Sequence, residues 1–348
     1  MRLCDQFWIQ RVPRIRSVLP GWFMCLVLAL LILLEIPRGS QLSAQSGGGL
    51  RDYGDVVSVT PAMGWLYGGE VLGTGDGGRT WTIQRAWDSD GGLPRQMQFL
   101  DPQHGWVVYE SSYLHRTTDG GRTWQMIRVR ARDPKTGYPT GLGRLHMVTS
   151  QYGFGLSDVG TQLLRTADGG LTWRSILIRQ GDINFTALSF VDAKQGWVAG
   201  IGGKLAVTRD GGQTLQSLPG TPVDTPLRMQ FVSAVAGWIL DVQDFRLFRT
   251  ADAGQNWQQC NGGQPSPQIH GFFFRTPTQG WAAAGGGVIL RTTDGCASWQ
   301  AVQTPSTEDL NAVHFLDNTT GWAAGANNTV LKTTDGGLTW TQVQVNVP

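Results

Sequence analysis

The chain has 348 residues, 48 of them Gly and 15 Trp, with 16% charged residues and a formal net charge of +2. Gly at about twice its usual ~7% share argues against a mainly helical protein. The absence of a third-residue Gly period excludes collagen, and the Trp content with 41% hydrophobic residues excludes a disordered chain. A turn-rich all-β protein remains.

From the N-terminus, Arg2, Arg11, Arg14 and Arg16 stand against Asp5, and the apolar run Trp22–Leu34 follows. Beyond Glu35 and Pro37 the chain turns polar, with Leu42-Ser43-Ala44 before Gln45. This is the order of a secretory signal. The run is short against the roughly 17–25 residues of a bilayer span, although counting Val18 and Leu19 lengthens it. Residues 1–44 are therefore expected to be a signal peptide cleaved near Ala44 or an N-terminal membrane anchor, with 45–348 a single exported domain. Without 1–44 the chain holds 23 basic and 24 acidic residues. The weak overall basicity is thus a targeting feature, and nucleic acid is not an expected partner.

A repeated phrase organises the rest. It reads T-G-D-G-G-R-T-W at Thr74–Trp81, recurs six times, and ends as T-T-D-G-G-L-T-W at Thr333–Trp340. Its aspartates are Asp76, Asp119, Asp168, Asp210, Asp252, Asp294 and Asp335, spaced 41 to 49 residues apart. Gly-Trp keeps the same period, at Trp65, Trp106, Trp197, Trp238, Trp281 and Trp322, with Gly153-Phe154 in the third place. Each period reads as four short strands. In the last they are Val313–Leu316, a strand at Gly321-Trp322, Thr329–Thr333 and Thr339–Val345. Such a unit is one β-propeller blade, and seven units predict a seven-bladed propeller with four-stranded blades and one Asp-box in each. The ends, Asp55–Val59 and Gln342–Val347, are expected to meet where the ring closes.

The phrase matches the Asp-box, or bacterial neuraminidase repeat. A short Asp at a tight turn accepts backbone N–H bonds, and the Gly pair takes backbone angles closed to other residues. The seven aspartates are therefore expected to be structural rather than catalytic or calcium-binding. Leu215 for Trp, Asn256 for Thr and Cys296 for the second Gly mark turns expected to be weaker. Cys260 and Cys296 fall on neighbouring units, where equivalent points usually exceed the ~7 Å Cα separation of a disulfide. Two separate thiols are the expectation.

Little in the chain points to chemistry. Sialidases share this propeller, but their Arg-Ile-Pro segment is absent, and only Glu70, Glu110 and Glu308 are available as glutamates beyond the leader. Xyloglucanase-like glycosidases pair two such propellers at about twice this length. Loop aspartates Asp88, Asp90, Asp158, Asp224, Asp241 and Asp309 leave a carboxylate pair open. His104, His115, His146, His270 and His314 show no ligand spacing; His314 alternates with Val313 and Phe315 on an inner strand, facing the channel. No metal, cofactor or catalysis is expected.

Charge is uneven. Residues 115–180 hold 10 basic and 4 acidic residues. In Q-M-I-R-V-R-A-R, Arg128, Arg130 and Arg132 share one strand face and Ile127, Val129 and Ala131 the other. Lys135 lies in the long loop Asp133–Gly143, Arg144 comes directly after it, and Arg174 and Arg179 follow on the next outer strand. These seven residues are the candidates for docking an acidic protein surface or anionic lipid, against the simpler role of charge that guards an outer edge.

Two phrases, Phe190-Val-Asp192 to Gly200 and Phe315-Leu-Asp317 to Gly325, together with T-T-D-G-G-x-T-W, resemble the photosystem II stability/assembly factor family of cyanobacteria and chloroplasts. The resemblance covers the chain behind the leader. It implies an exported, non-catalytic, monomeric propeller that binds newly made membrane subunits or their exported loops, with an arginine-rich patch for docking. It also implies a periplasmic, lumenal or other extracytoplasmic membrane face. The alternative is a glycan-binding or sialidase-like propeller. Three arginines or two facing carboxylates at the channel mouth would favour that alternative, and a basic side over blades two and three would favour docking.

Overall fold

A computed structural model describes residues 51–85, 92–110, 112–132, 137, 139–176, 184–263 and 267–346. It is all-β apart from two short 3-10 turns, and no described helix is long and apolar enough to cross a membrane. The leader lies outside the described residues.

Seven four-stranded antiparallel sheets follow one another, each formed from one continuous segment and ordered as in sequence. Blade 7 is typical, with strands Leu310–Phe315, Gly321–Gly325, Val330–Thr333 and Thr341–Gln342. The inner strands of the other blades are Asp55–Ser58, Pro94–Phe99, Leu142–Met147, Phe185–Phe190, Pro226–Phe231 and Ile269–Phe274. They start earlier than the sequence pattern indicates, because a register irregularity near the start of six of the seven inner strands breaks the alternation of side chains. The outer strand of blade 7, Thr341–Gln342, is shorter than predicted.

Second strands are buried along their whole length, as expected of sheets covered on both faces. Their Trp side chains fill the seams. Trp281 stacks on Phe315 of the next blade at a centroid distance of 3.5 Å, and Trp65–Phe99, Phe154–Phe190, Trp197–Phe231 and Trp238–Phe274 repeat the arrangement. The Gly of five of the six Gly-Trp pairs now has a reason, Gly64 being the exception. A Cβ on Gly280 would collide with the Phe274 ring that receives Trp238. The core is thus a set of seams, each joining two neighbours, as where Trp281 and Ile289 of blade 6 meet Val313, Phe315 and Trp340 of blade 7.

The ring closes without exchanging a strand. Arg51 and Tyr53 bond to the loops of blade 7: Tyr53 N–H donates to Gly325 O at 3.0 Å, and Arg51 N–H donates to Asn328 Oδ1 at 2.9 Å. Val343 and Val345 pack near Trp81 and Trp322, so the first and last segments of the described ring meet at this seam. Blade 1 offers Trp322 no stacked ring. Lys332 instead sits over Trp322 at 4.7 Å and donates to Gly77 O at 2.9 Å.

Cys260 and Cys296 are bonded, with Cα atoms 5.0 Å apart, which corrects the expectation of separate thiols. The two are not at equivalent points of their blades. Each Asp-box turn leans on the preceding blade, and Trp238 Nε1–H of blade 5 donates to Gly295 O of blade 6. That lean brings Cys296 to the 3-10 turn Cys260–Gly263 that ends blade 5.

Candidate functional site

The seven aspartates hold turns. Thr333 Oγ1–H donates to Asp335 Oδ1 at 2.7 Å, Thr339 N–H to the same oxygen at 3.0 Å, and Thr339 Oγ1–H to Oδ2 at 2.6 Å. Gly337 N–H donates to Thr333 Oγ1. The same four bonds recur at Asp76, Asp119, Asp168, Asp210, Asp252 and Asp294. The departures keep them: Asn256 Nδ2–H replaces the hydroxyl at Asp252 at 2.8 Å, and Ser298 does so at Asp294 at 2.6 Å. The backbone keeps its left-handed course as well, with Ala253 and Cys296 at φ of +64° and +75° where the other turns place Gly, so the substitutions put a side chain where it is disfavoured. Donation by Thr339 holds Asp335 at about 2, well below its ordinary value.

Two basic regions emerge. On the outer flank, Arg128, Arg130 and Arg132 are exposed while Ile127, Val129 and Ala131 are buried, as the alternation predicts. The strand Ala131–Arg132 pairs with Pro139–Thr140, so the long loop begins as a small hairpin. The three arginines line a depression of about 400 Å³ with Ser112, Thr140 and Asp158. Asp158 is already engaged by the Ser112 and Thr140 hydroxyls. Arg174 is exposed on the outer strand of blade 3, which packs against Ala131–Arg132. Arg144 is not part of this flank. It lies on the inner strand of blade 3 and faces the channel. Lys135, Arg179, Asp88 and Asp90 lie outside the described residues.

The second region is the central channel, a cavity of about 430 Å³. Arg95, Arg144 and Arg228 line one end with Asp55 and Tyr67; His146, Phe273 and His314 lie further along. Arg228 Nη2 is 3.3 Å from Asp55 Oδ2. Burial pushes the Asp55 carboxyl up despite Arg228, and burial and Asp55 both raise Tyr67, whose hydroxyl donates to Arg95 O at 2.9 Å. Burial also lowers Arg144. Sequence reading assigned Arg144 to the wrong region and missed Arg95 and Arg228. Their only signal was a basic residue near the start of an inner strand, where the bulge hides the inward face.

His314 faces the channel as predicted, with Nδ1 3.3 Å from Ser58 Oγ. Burial depresses His146 and His314 to about 4. A depressed histidine contributes stability above its unfolded value near 6.5, and loses it as pH falls through the folded value. The unfolding midpoint in urea should therefore drop between about pH 6.5 and 4, and His146→Gln with His314→Gln should flatten that arm. The Asp-box aspartates add a second loss between about pH 4 and 2. A midpoint constant from pH 7 to 4.5 in the native chain would refute the histidine contribution.

Among the described residues no His, Cys, Asp and Glu gather as a metal site. The channel lining contains one carboxylate, Asp55. Among the described residues no second carboxylate, glutamate included, lines the channel.

A family model described as photosynthesis system II assembly factor YCF48 matches residues 292–348. No curated protein matches the chain. A solved structure of YCF48 bound to D1 peptide is 22% identical, with a TM-score of 0.63 over 85% of this chain and 98% of that one. YCF48 from Cyanidioschyzon merolae is 19% identical, with a TM-score of 0.62 over 84% and 98%. The GH74 enzyme from Niastella koreensis is 13% identical, with a TM-score of 0.64 over 85% of this chain and 54% of that one. Identities this low speak for the fold alone. The structural matches show the seven-bladed propeller fold, and the family model likens the last repeat, residues 292–348, to photosystem II assembly factors.

Proposed function

We propose that this chain is an exported, non-catalytic propeller that binds a membrane protein subunit or its exported loops during assembly. The observation that carries this reading is the outer flank. Arg128, Arg130 and Arg132 project from one face, with Arg174 beside them, and the nearby Asp158 is occupied by hydroxyls. Such a patch suits an acidic protein surface, with anionic headgroups as an adjunct. The YCF48 structure bound to D1 peptide supports the partner class. In a pull-down from membranes, Arg128→Glu with Arg130→Glu and Arg132→Glu should abolish partner recovery and leave the melting temperature unchanged. Unchanged partners would overturn the assignment.

A second reading, a glycan-binding or sialidase-like propeller, draws on the three arginines of the channel. Against it stands the lone Asp55 and a Tyr67 hydroxyl already bonded to backbone and raised in pKa. Release of the fluorophore from a methylumbelliferyl sialoside would favour it over the docking reading.

A further inference from the structure

The channel sorts its polar groups into engaged and free ones. Near the mouth, Thr186 Oγ1–H donates to Pro226 O at 2.7 Å, Asn311 Nδ2–H donates to Tyr53 O at 3.0 Å, and His270 Nδ1 meets Leu310 O at 3.2 Å. One position further in, Gln96 clasps both backbone groups of Leu145. Two positions beyond, Gln98 clasps Met147 and Gln230 clasps Phe274 in the same way. Ser189 accepts from Phe231 N–H, and His314 is held at Ser58. Each of these bonds spans two blades. They stitch the ring and take up the polar ends that would otherwise meet a ligand.

The guanidinium groups stand apart from this stitching. Arg228 is paired with Asp55, and no carboxylate among the described residues pairs with Arg95 or Arg144. Arg144 is nonetheless half-buried, and desolvation lowers its pKa. A half-buried guanidinium with no counter-ion favours an arriving anion. Arg144, Arg228 and Asp55 occupy corresponding positions on their strands, with Arg95 one position nearer the mouth. Two residues deeper, about 6–7 Å along a strand, Phe273 packs beside His314 at a centroid distance of 4.6 Å. His146 there is held neutral at neutral pH by burial.

We propose that the channel binds a small organic acid, with its carboxylate held by Arg95, Arg144 and Arg228 and a largely apolar body lying against Phe273. Planar guanidinium groups match the two carboxylate oxygens. The cavity of about 430 Å³ suits a small molecule. A sugar would need partners for several hydroxyls, and the surrounding amides, hydroxyls and imidazoles are already committed to backbone. This site is separate from the outer flank, so the proposal does not depend on the docking reading.

The test is calorimetry on the whole exported domain with 3-phenylpropionate, its neutral amide, inorganic phosphate and N-acetylneuraminate. The acid should bind, and the amide should bind at least about tenfold more weakly. Arg144→Gln and, separately, the exposed Arg95→Gln should each weaken the acid by about tenfold. The second variant keeps the test valid if the first fails to fold. The outer-flank triple variant should bind the acid normally while losing its membrane partner, which separates the two sites. Absence of binding, equal binding of acid and amide, or affinity unchanged in Arg95→Gln overturns the proposal. Tighter binding of phosphate or N-acetylneuraminate overturns it as well.

Discussion

Replacing Trp281 with Ala should lower the unfolding free energy by about 3–5 kcal/mol. The side chain is fully buried, its ring lies on Phe315 at 3.5 Å, and Nε1–H donates to Gly336 O at 2.9 Å. Truncation removes a large apolar surface and opens a cavity between two sheets held together by His270 at Leu310 O and Arg275 at Leu316 O, so the gap cannot close cheaply. It also removes a stack worth about 0.5–1.5 kcal/mol beyond area burial. The Gly336 carbonyl keeps Arg291 Nε–H as a donor, which spares it the penalty of an unpaired group. Trp322 is the natural comparison. It is equally buried but has no stacked ring in blade 1, and its Nε1–H has no partner. Trp322→Ala should therefore cost less than Trp281→Ala. Urea unfolding with unchanged slope measures both. A loss below about 1 kcal/mol for Trp281, within the range of ordinary substitutions, would refute the seam as the main source of stability.

The ring was legible because each blade repeats its own instructions. Trp281, Gly280, Thr292 and Asp294 recur at one period; the Thr and Asp hold the turn in every blade, and the stack of Trp281 on Phe315 has a counterpart at four other seams. The seam partners were less visible, since Phe315 carries no unusual composition and its role depends on the blade before it. The outer flank was legible for a similar reason: Arg128, Arg130 and Arg132 alternate with Ile127, Val129 and Ala131 over a run that no bulge interrupts. The channel was not. Arg144 and Arg228 follow a bulge that shifts the inward face by one residue, and they come from different blades far apart in sequence. No local pattern reports that three such residues converge. Cys260 and Cys296 were misjudged on the same ground, because comparing equivalent points ignores the lean of each Asp-box turn on its predecessor.

That lean makes the disulfide the second large contributor. Cys260→Ser with Cys296→Ser opens a link across 36 residues, and closure of a loop of that size is worth about 3–4 kcal/mol in the chain-entropy picture. The bond joins the end of blade 5 to the Asp-box of blade 6. Cys296 is in the left-handed region, at φ +75°, in the place other blades give to Gly. An L side chain there costs roughly 1–2 kcal/mol. Two effects of opposite sign therefore meet at one residue, and they can be separated. Cys260→Ser with Cys296→Gly removes the bond but restores the favoured backbone, so it should recover about 1 kcal/mol relative to the double serine variant. Reducing the native chain should reproduce the loss of the bond without that recovery. Urea unfolding of the oxidised, reduced, double serine and serine–glycine forms reads all four values. If reduction leaves the midpoint unchanged, the bond only decorates a seam that tryptophan stacking already holds. If the glycine form is no more stable than the serine form, the left-handed turn carries no penalty. With the expected order, the chain gains more from the cross-link than it loses by giving up glycine at this turn.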